Sequence, residues 1–268
     1  MEPIGRRGFL GSIGMGLLMG VVNVERNDMN PTPASQASPE ANLVDDLVAA
    51  NRILADQGVL DGYGHVSARH DRNPDRFLLS RSLAPELVTG GDILEFDLDS
   101  NAIDAKGHAL YIERFIHGAI YKARADVKAI VHSHSPSVIP FGVTPVALRP
   151  VYHMASFIGE GVPVFEIRKV AGMTDMLVRD AKLGRALAST LGSKPAALMR
   201  GHGAVVVGSS LPVAVGRSVY LEINAKIQAQ AMAMSKEVIY LDPEEARKAS
   251  IDGYQRAWEL WKRKVNAK

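Results

Sequence analysis

The sequence holds four side chains whose types and spacing could build a proton-moving metal centre. Val131-His132-Ser133-His134-Ser135-Pro136 ends an apolar run, Val127 to Val131, of the kind that forms a buried strand. Residues i and i+2 of a strand point to the same side. His132 and His134 therefore present two imidazoles to one spot, at or just past the strand's C-terminal end. Two neutral imidazoles aimed at one point begin a divalent-metal site, and a third ligand completes one that keeps a position open for water or substrate. His202, in Arg200-Gly201-His202-Gly203, is the candidate, because flanking glycines let the backbone turn sharply and approach closely. A strand-end cap and an exposed hairpin tip are the structural alternatives for the pair and for His202. Glu113 is the candidate proton carrier, although a carboxylate in the first turn of a helix also complements the helix dipole. His117, one turn later on the same face, reads as structural. The chain has no cysteine, so a metal must be held by histidine and carboxylate. Three imidazoles suit Zn2+, with Mn2+ the alternative.

These residues need elements to position them. Leu43, Val44, Leu47, Val48, Ile53 and Leu54 recur at helical spacing, and Gly58 caps that helix. His65-Val66-Ser67-Ala68-Arg69 alternates as a strand and forms a hairpin with Arg76 to Ser80. Asp92 to Leu98 is a further strand, after a short helical turn at Pro85 to Thr89. A helix from about Ile112 to Ala125 precedes the histidine strand, and Ser135-Pro136 starts another. Val162 to Ile167 reads as a strand and Thr174 to Leu191 as a helix closed by Gly192. Ala196 to Met199 and Ala204 to Val207 are short strands joined by the loop that carries His202. Pro212 to Met234 and Pro243 to Lys264 read as two long helices. Hairpins followed by alternating strands and helices predict an α/β fold, a single domain with a mixed central sheet and helices on both faces.

Composition narrows the partners. The chain of 268 residues is 47% hydrophobic and 22% charged, with a net charge of +2 and scattered basic residues, which argues against nucleic acid. The N-terminus differs in kind. Gly5-Arg6-Arg7-Gly8-Phe9-Leu10 is a twin-arginine pattern, followed by a glycine-rich apolar run to Val22 that is too short to span a membrane comfortably. A polar stretch rich in Pro, Ser and Ala then leads to Glu40. Residues 1–40 are expected to be a twin-arginine-type signal and disordered linker, and 41–268 the folded body. The expected location is the periplasm, with no membrane span in the mature protein; the cytoplasm is the alternative if the segment is a mere extension.

Several stretches together resemble the class II aldolase/adducin family. They are Gly64-His65-Val66-Ser67-Ala68-Arg69, Phe77-Leu78-Leu79-Ser80-Arg81-Ser82, Ile112-Glu113, His132-Ser133-His134-Ser135 and Arg200-Gly201-His202-Gly203-Ala204-Val205. The resemblance runs from about Leu43 to Met234. It implies that His132, His134 and His202 are the metal ligands and Glu113 the catalytic carboxylate. It also implies a three-layer α/β/α domain that assembles as a homotetramer with active sites near subunit interfaces. Sugar-phosphate aldolases of the family have Asn where His65 stands and Ser-Gly where Ser82-Leu83 stands. Backbone N–H groups freed by glycine cradle phosphate, and this chain lacks that glycine. With His65, Ser80, Arg81 and Ser82, the stretch Leu148-Arg149-Pro150-Val151-Tyr152-His153-Met154 resembles the branch that decarboxylates hydroxy-aromatic or pyridine carboxylates.

The resemblance implies a metal-dependent carbon–carbon lyase acting on a small carboxylate or carbonyl compound. Decarboxylation of a hydroxy-aromatic or related carboxylate is expected ahead of sugar-phosphate aldol cleavage. In that scheme Glu113 or His65 delivers the proton, Arg81 or Arg149 anchors a second carboxylate, and Ser80, Ser82 and His153 complete the substrate pocket. The alternative from a different class is a non-catalytic, adducin-like interaction module.

Overall fold

A computed structural model of the chain describes residues 39–250 and 253–267. The twin-arginine pattern and nearly all of the linker expected after it lie outside the described residues.

The periodic apolar segments form the elements their spacing implies. Helix α1 (Ala41–Asp56) buries Leu47, Ile53 and Leu54 along one stripe, and Gly58 beyond it adopts φ +70°. Strands β1 (His65–Arg69) and β2 (Arg76–Ser80) form the antiparallel hairpin, and β3 (Ile93–Asp97) adds to β2. Helix α2 (Arg114–Ala123) leads into β4 (Ala129–Ser133) and the five-residue α3 (Ile139–Val143). Strand β5 (Val164–Phe165), the short α4 (Arg168–Ala171) and α5 (Ala181–Leu191) follow. Strands β6 (Ala196–Met199) and β7 (Gly203–Gly208) precede the long α6 (Leu211–Met234), and α7 (Pro243–Lys248) and α8 (Gln255–Asn266) come last.

The seven strands make one sheet in the order β3-β2-β1-β4-β7-β6-β5. Every neighbouring pair is antiparallel except β5–β6, so the sheet is mixed. On one face Phe77, Leu79, Ile130 and Val205 pack against Ile116 and Ile120 of α2 and Leu183 and Leu187 of α5. On the other, Val66, Leu78 and Val131 pack against Leu47 and Ile53 of α1, Val215 and Val219 of α6 and Trp258 and Trp261 of α8. The result is helix–sheet–helix in three layers, each strand face covered as its apolar residues require. Among the described residues, no helix is long and apolar enough to cross a membrane.

Three elements depart from their expected bounds, each for a local reason. The helix expected from Thr174 begins at Ala181, because the Thr174 hydroxyl and the Asp175 carboxylate accept from the backbone N–H groups of Met176 and Leu177. Such short side-chain turns compete with helical hydrogen bonds, and Asp180 then caps α5 by accepting from Leu183 N–H at 2.9 Å. The single helix expected over Pro243 to Lys264 is two, α7 and α8, with Gly253 at φ +75° between them. The strand expected over Val162 to Ile167 shrinks to Val164–Phe165, at the edge of the sheet where one neighbour is missing.

Strand β1 alternates polar and apolar residues, yet all five are buried. Val66 and Ala68 enter the α1–α6 core. The polar row, His65, Ser67 and Arg69, faces α2 instead of water. Arg69 donates to the carbonyls of Tyr121 (2.6 Å) and Arg124 (3.0 Å), closing the C-terminal end of α2.

Candidate metal centre

Strand β4 lies between β1 and β7, with His132 opposite His65 on one side and Val205 on the other. His132 is fully buried. Its Nδ1 lies 3.1 Å from the Ala204 carbonyl, and a carbonyl oxygen only accepts, so Nδ1 carries the proton and Nε2 the lone pair. That Nε2 is buried without a hydrogen-bond partner. His202 repeats the arrangement: its Nδ1 donates to the Met176 carbonyl at 3.1 Å. Its Nε2 sits 3.1 Å from His134 Nε2 and 3.3 Å from Glu113 Oε2. Glu113 Oε2 is also 3.4 Å from His132 Nε2. The four ligand atoms all lie within 4.8 Å of one another.

Imidazoles whose Nδ1–H is held by a backbone carbonyl, with Nε2 turned to a common point, are arranged as metal ligands. A cation at that point removes the repulsion between the facing lone pairs and satisfies the orphaned His132 nitrogen. The residues fit a divalent ion on this chemistry. The structure adds Glu113 to the cluster itself, where the sequence suggested only a proton carrier nearby.

Charge within the cluster is organised around that carboxylate. Burial works against the ionised form of Glu113, but His132 and His202 hold it well below the usual carboxylate range. Burial also opposes charge on His202, yet its hydrogen bond to Glu113 and the carboxylate's charge leave the imidazole raised. Burial, with His132 and His202 nearby, pushes His134 down to about 4. Glu113 sits at the N-terminal boundary of α2, but its side chain does not cap that helix. Its Oε1 accepts from Val178 N–H at 2.8 Å, so the loop between α4 and α5 locks both Glu113 and His202 in place.

The glycines around His202 act as expected. Gly201 adopts φ +65°, where a β-carbon is strained. At Gly203 a β-carbon would fall inside the Ser133 carbonyl group, because β7 passes tight against the end of β4 to bring His202 to the cluster. Gly203→Ala is expected to destabilise the protein by about 3 kcal/mol, the upper part of the usual overpacking range. Thermal unfolding should register this as a fall of roughly 10 °C. A wild-type melting curve would remove the close approach from the account.

Beside the cluster opens a cavity of about 510 Å³, within the size range of small-molecule sites. His65, Ser82, Leu83, Tyr111, Ile112, Glu113, His134 and Leu177 are among the residues that line it, and Tyr63 stands at its rim, 73% exposed. Among the described residues, none that lines the cavity is Lys or Arg. His65 is 3% exposed, with its ring 4.5 Å from that of Tyr111 and 5.1 Å from that of His132. Burial first, then neighbouring His117 and His132, lower its basicity well below that of a free imidazole.

The remaining expected substrate residues lie at different distances from this chemistry. Ser82 lines the cavity. Ser80 is buried behind it, its hydroxyl 3.4 Å from that of Tyr111. Arg81 is turned to Asp92, Nε to Oδ1 2.6 Å. The Thr89 hydroxyl and Arg81 together hold Asp92 down at about 2. Arg149 and His153 are not brought to the cavity. Asn224 Nδ2 donates to the Arg149 carbonyl and Gln228 Oε1 accepts from its N–H, which ties this loop to α6, and the guanidinium lies 4.0 Å over the Tyr240 ring. His153 is exposed at the start of a 3-10 turn.

Two site features escaped the sequence. Tyr111 forms one wall; its hydroxyl donates to the Leu83 carbonyl and stands 3.4 Å from Leu83 N–H. The loop carrying Met176 and Val178 fixes the ligands through backbone groups, which leave no trace in residue type. Its one signal was Gly172-Met173-Thr174-Asp175, where turn-forming residues interrupt the helical pattern.

The sequence pattern of the "Class II Aldolase and Adducin N-terminal domain" matches residues 45–229. The chain is 36% identical over 245 residues to the decarboxylase tropJ of Talaromyces stipitatus, covering 82% of this chain and 92% of that protein. It is 29% identical over 199 residues to the 3,4-dihydroxyphthalate decarboxylase of Arthrobacter keyseri, covering 69% and 76% respectively. The fold is similar to that of L-fuculose 1-phosphate aldolase from Glaciozyma antarctica, with a TM-score of 0.69, 24% identity and coverage of 88% and 94%. At that identity the likeness is one of fold alone.

Proposed function

Because this chain belongs to the class II aldolase and adducin family, we propose that it is a metal-dependent lyase that decarboxylates a hydroxylated aromatic or related carboxylate. The observation that carries the proposal is the opening of the Glu113–His132–His134–His202 cluster into a cavity whose phosphate corner is taken by Leu83. Where sugar-phosphate aldolases resemble one another in a glycine, Leu83 puts a side chain into the cavity, and both its backbone polar groups face the Tyr111 hydroxyl. Among the described residues that line the cavity there is no lysine or arginine to hold a phosphate. The two decarboxylase relatives support the same choice.

His132, His134 and His202 would hold the ion. A divalent cation there supplies Lewis acidity to the substrate oxygen next to the carboxylate, on which negative charge gathers as carbon dioxide leaves. The rest of the work belongs to side chains. Leu83, Ile112 and Leu177 shield the aromatic ring from water. Glu113, kept ionised by its histidines, accepts the proton of the substrate hydroxyl. Glu113 then returns that proton to the ring carbon bearing the carboxylate, leaving the oxygen as a carbonyl. The carbon–carbon bond breaks with its electron pair passing through the ring to that oxygen, which takes a proton from solvent. Carbon dioxide and the hydroxy-aromatic product leave, and one proton has replaced the carboxylate. Tyr111 and His65 line the wall against which the substrate is oriented.

The test is a panel of ortho-hydroxy aromatic carboxylates and of sugar phosphates, given to the purified protein loaded with Zn2+ or with Mn2+. Carbon dioxide release from an aromatic acid, abolished by chelation, is expected. Aldehyde release from a sugar phosphate with no carbon dioxide from any acid would sink the decarboxylase assignment. A protein that purifies without metal and takes none up would support the interaction-module alternative. We also propose a homotetramer and twin-arginine export. Sedimentation tests the first, and the location of tagged protein with and without Arg6-Arg7 tests the second.

A further inference from the structure

Behind the cavity wall a buried chain of polar side chains runs inward from His65, and its other members play no part in the proposed chemistry. His65 Nδ1 lies 2.6 Å from His117 Nε2. His117 Nδ1 lies 2.6 Å from the Ser67 hydroxyl, which lies 2.8 Å from the Tyr121 hydroxyl. All four residues are at most 3% exposed. We propose that Tyr121, Ser67 and His117 form a positioning relay that fixes His65 as its Nε2–H tautomer, a hydrogen-bond donor aimed into the cavity.

The assignment follows from counting hydrogens. A neutral imidazole has one N–H and one acceptor nitrogen, and a hydroxyl has one hydrogen. Burial favours the neutral form of both His65 and His117. The chain can therefore run in only two directions. Running inward, His65 Nδ1–H donates to His117, His117 to Ser67 and Ser67 to Tyr121, which leaves the Tyr121 hydrogen to find its own acceptor. Among the described residues Ser67 is the sole hydrogen-bond partner of that hydroxyl. The ring is closed in by Phe77 at 5.4 Å and by the Arg69 guanidinium at 4.8 Å. Running outward, Tyr121 donates to Ser67, Ser67 to His117 Nδ1, and His117 Nε2–H to His65 Nδ1. Every buried hydrogen is then used, and the one left over sits on His65 Nε2. Among the described residues that nitrogen makes no hydrogen bond, and His65 lines the cavity. The cost of an unmade buried hydrogen bond favours the outward direction by about tenfold or more.

The buried end of the relay thus decides what the cavity end offers: a donor, suited to a carboxylate or phenolate oxygen. The use of that donor on a substrate rests on the lyase proposal, but the tautomer does not. Nitrogen-15 solid-state NMR of the full, metal-loaded chain labelled in histidine reads it without any turnover. The His65 signals are identified by their loss in His65→Gln. A proton-bearing Nε2 and a bare Nδ1 are expected, and a proton on Nδ1 overturns the relay's direction. Tyr121→Phe removes the terminal donor and little volume. In that variant His65 is expected to split into two tautomers, whereas an undivided wild-type pattern would show that Tyr121 does not set the order. If Tyr121→Phe does not fold, the wild-type spectrum decides alone. A correct tautomer in a protein that decarboxylates nothing would leave the relay standing and the lyase proposal in error.

Discussion

Replacing His202 with alanine is expected to strip the metal from the protein and reduce turnover to background. His202 is the candidate ligand contributed from farthest along the chain. Gly201 turns the backbone, Gly203 lets β7 approach the Ser133 carbonyl, the Met176 carbonyl holds Nδ1–H at 3.1 Å, and Nε2 meets the other candidate ligands. Alanine removes one of the three imidazoles proposed to hold the ion, and Glu113, held by Val178 N–H, is expected to stay the proton carrier and not replace it. Metal content by mass spectrometry should fall from near one ion per chain to a small fraction. Loss of the proposed electrophile should cost about 10⁴-fold or more in kcat/KM, since the remaining groups do not substitute for it. The variant's unfolding curve should match that of chelated wild-type protein, because His202 contributes to stability chiefly through the ion. Full metal occupancy in His202→Ala would mean the ligand set is misassigned.

The same geometry sets the pH dependence of metal uptake. A proton and a metal compete for His202 Nε2, and Glu113 raises that imidazole's affinity for the proton. Metal affinity should therefore fall as pH drops through the raised value, by about tenfold per pH unit for one displaced proton. His134, held at about 4, remains neutral across that range and adds no second proton.

Glu113→Gln is expected to separate chemistry from metal binding. The amide oxygen of glutamine can still accept from Val178 N–H, the contact that fixes the side chain at 2.8 Å. The three imidazoles remain, so the protein should fold and retain most of its metal. What disappears is a group able to take a proton from one atom of the substrate and return it to another. Removal of a general acid–base of this kind typically lowers the rate 10²- to 10⁴-fold, and a kcat loss of about 10³-fold with little change in KM is expected. Metal content measured on the same samples distinguishes this from loss of the ion. If Glu113→Gln retains wild-type kcat, the proton moves by another route, and His65 becomes the first residue to replace.

The three imidazoles and the carboxylate were legible because each has a distinctive type and a telling neighbour: a two-residue spacing at a strand end, a pair of glycines, the start of a helix. The hairpin of β1 and β2 and the helices α1, α2 and α6 were legible because apolar residues repeat at the period of the element. Arg81 shows the opposite case. In sequence it sits between two serines that flank the pocket, but Asp92, eleven residues on, holds its guanidinium at 2.6 Å, and only the pairing of β2 with β3 brings them together. Arg149 is carried to α6 by side chains of Asn224 and Gln228 more than seventy residues away. His117 looked like a structural histidine on an apolar helix face, because the polar row of β1 that meets it belongs to another element.

By itself, then, the order of residues determined the ligand types, the absence of thiolate chemistry, the α/β class and the missing phosphate-loop glycine. The candidate ligand types, the absence of thiolates and the fold class follow from side-chain chemistry and from periods of two and 3.6 residues, which are local; the missing glycine follows from the family resemblance. The tertiary structure alone decided the strand order, the inclusion of Glu113 within the ligand cluster and the closing of the wall by Tyr111 and Leu83. It also decided the burial of His65, Ser67 and His117 against Tyr121. Each of these depends on which strands lie side by side and in what register. That is settled by how the whole apolar surface can be buried at once, and no single segment carries that information.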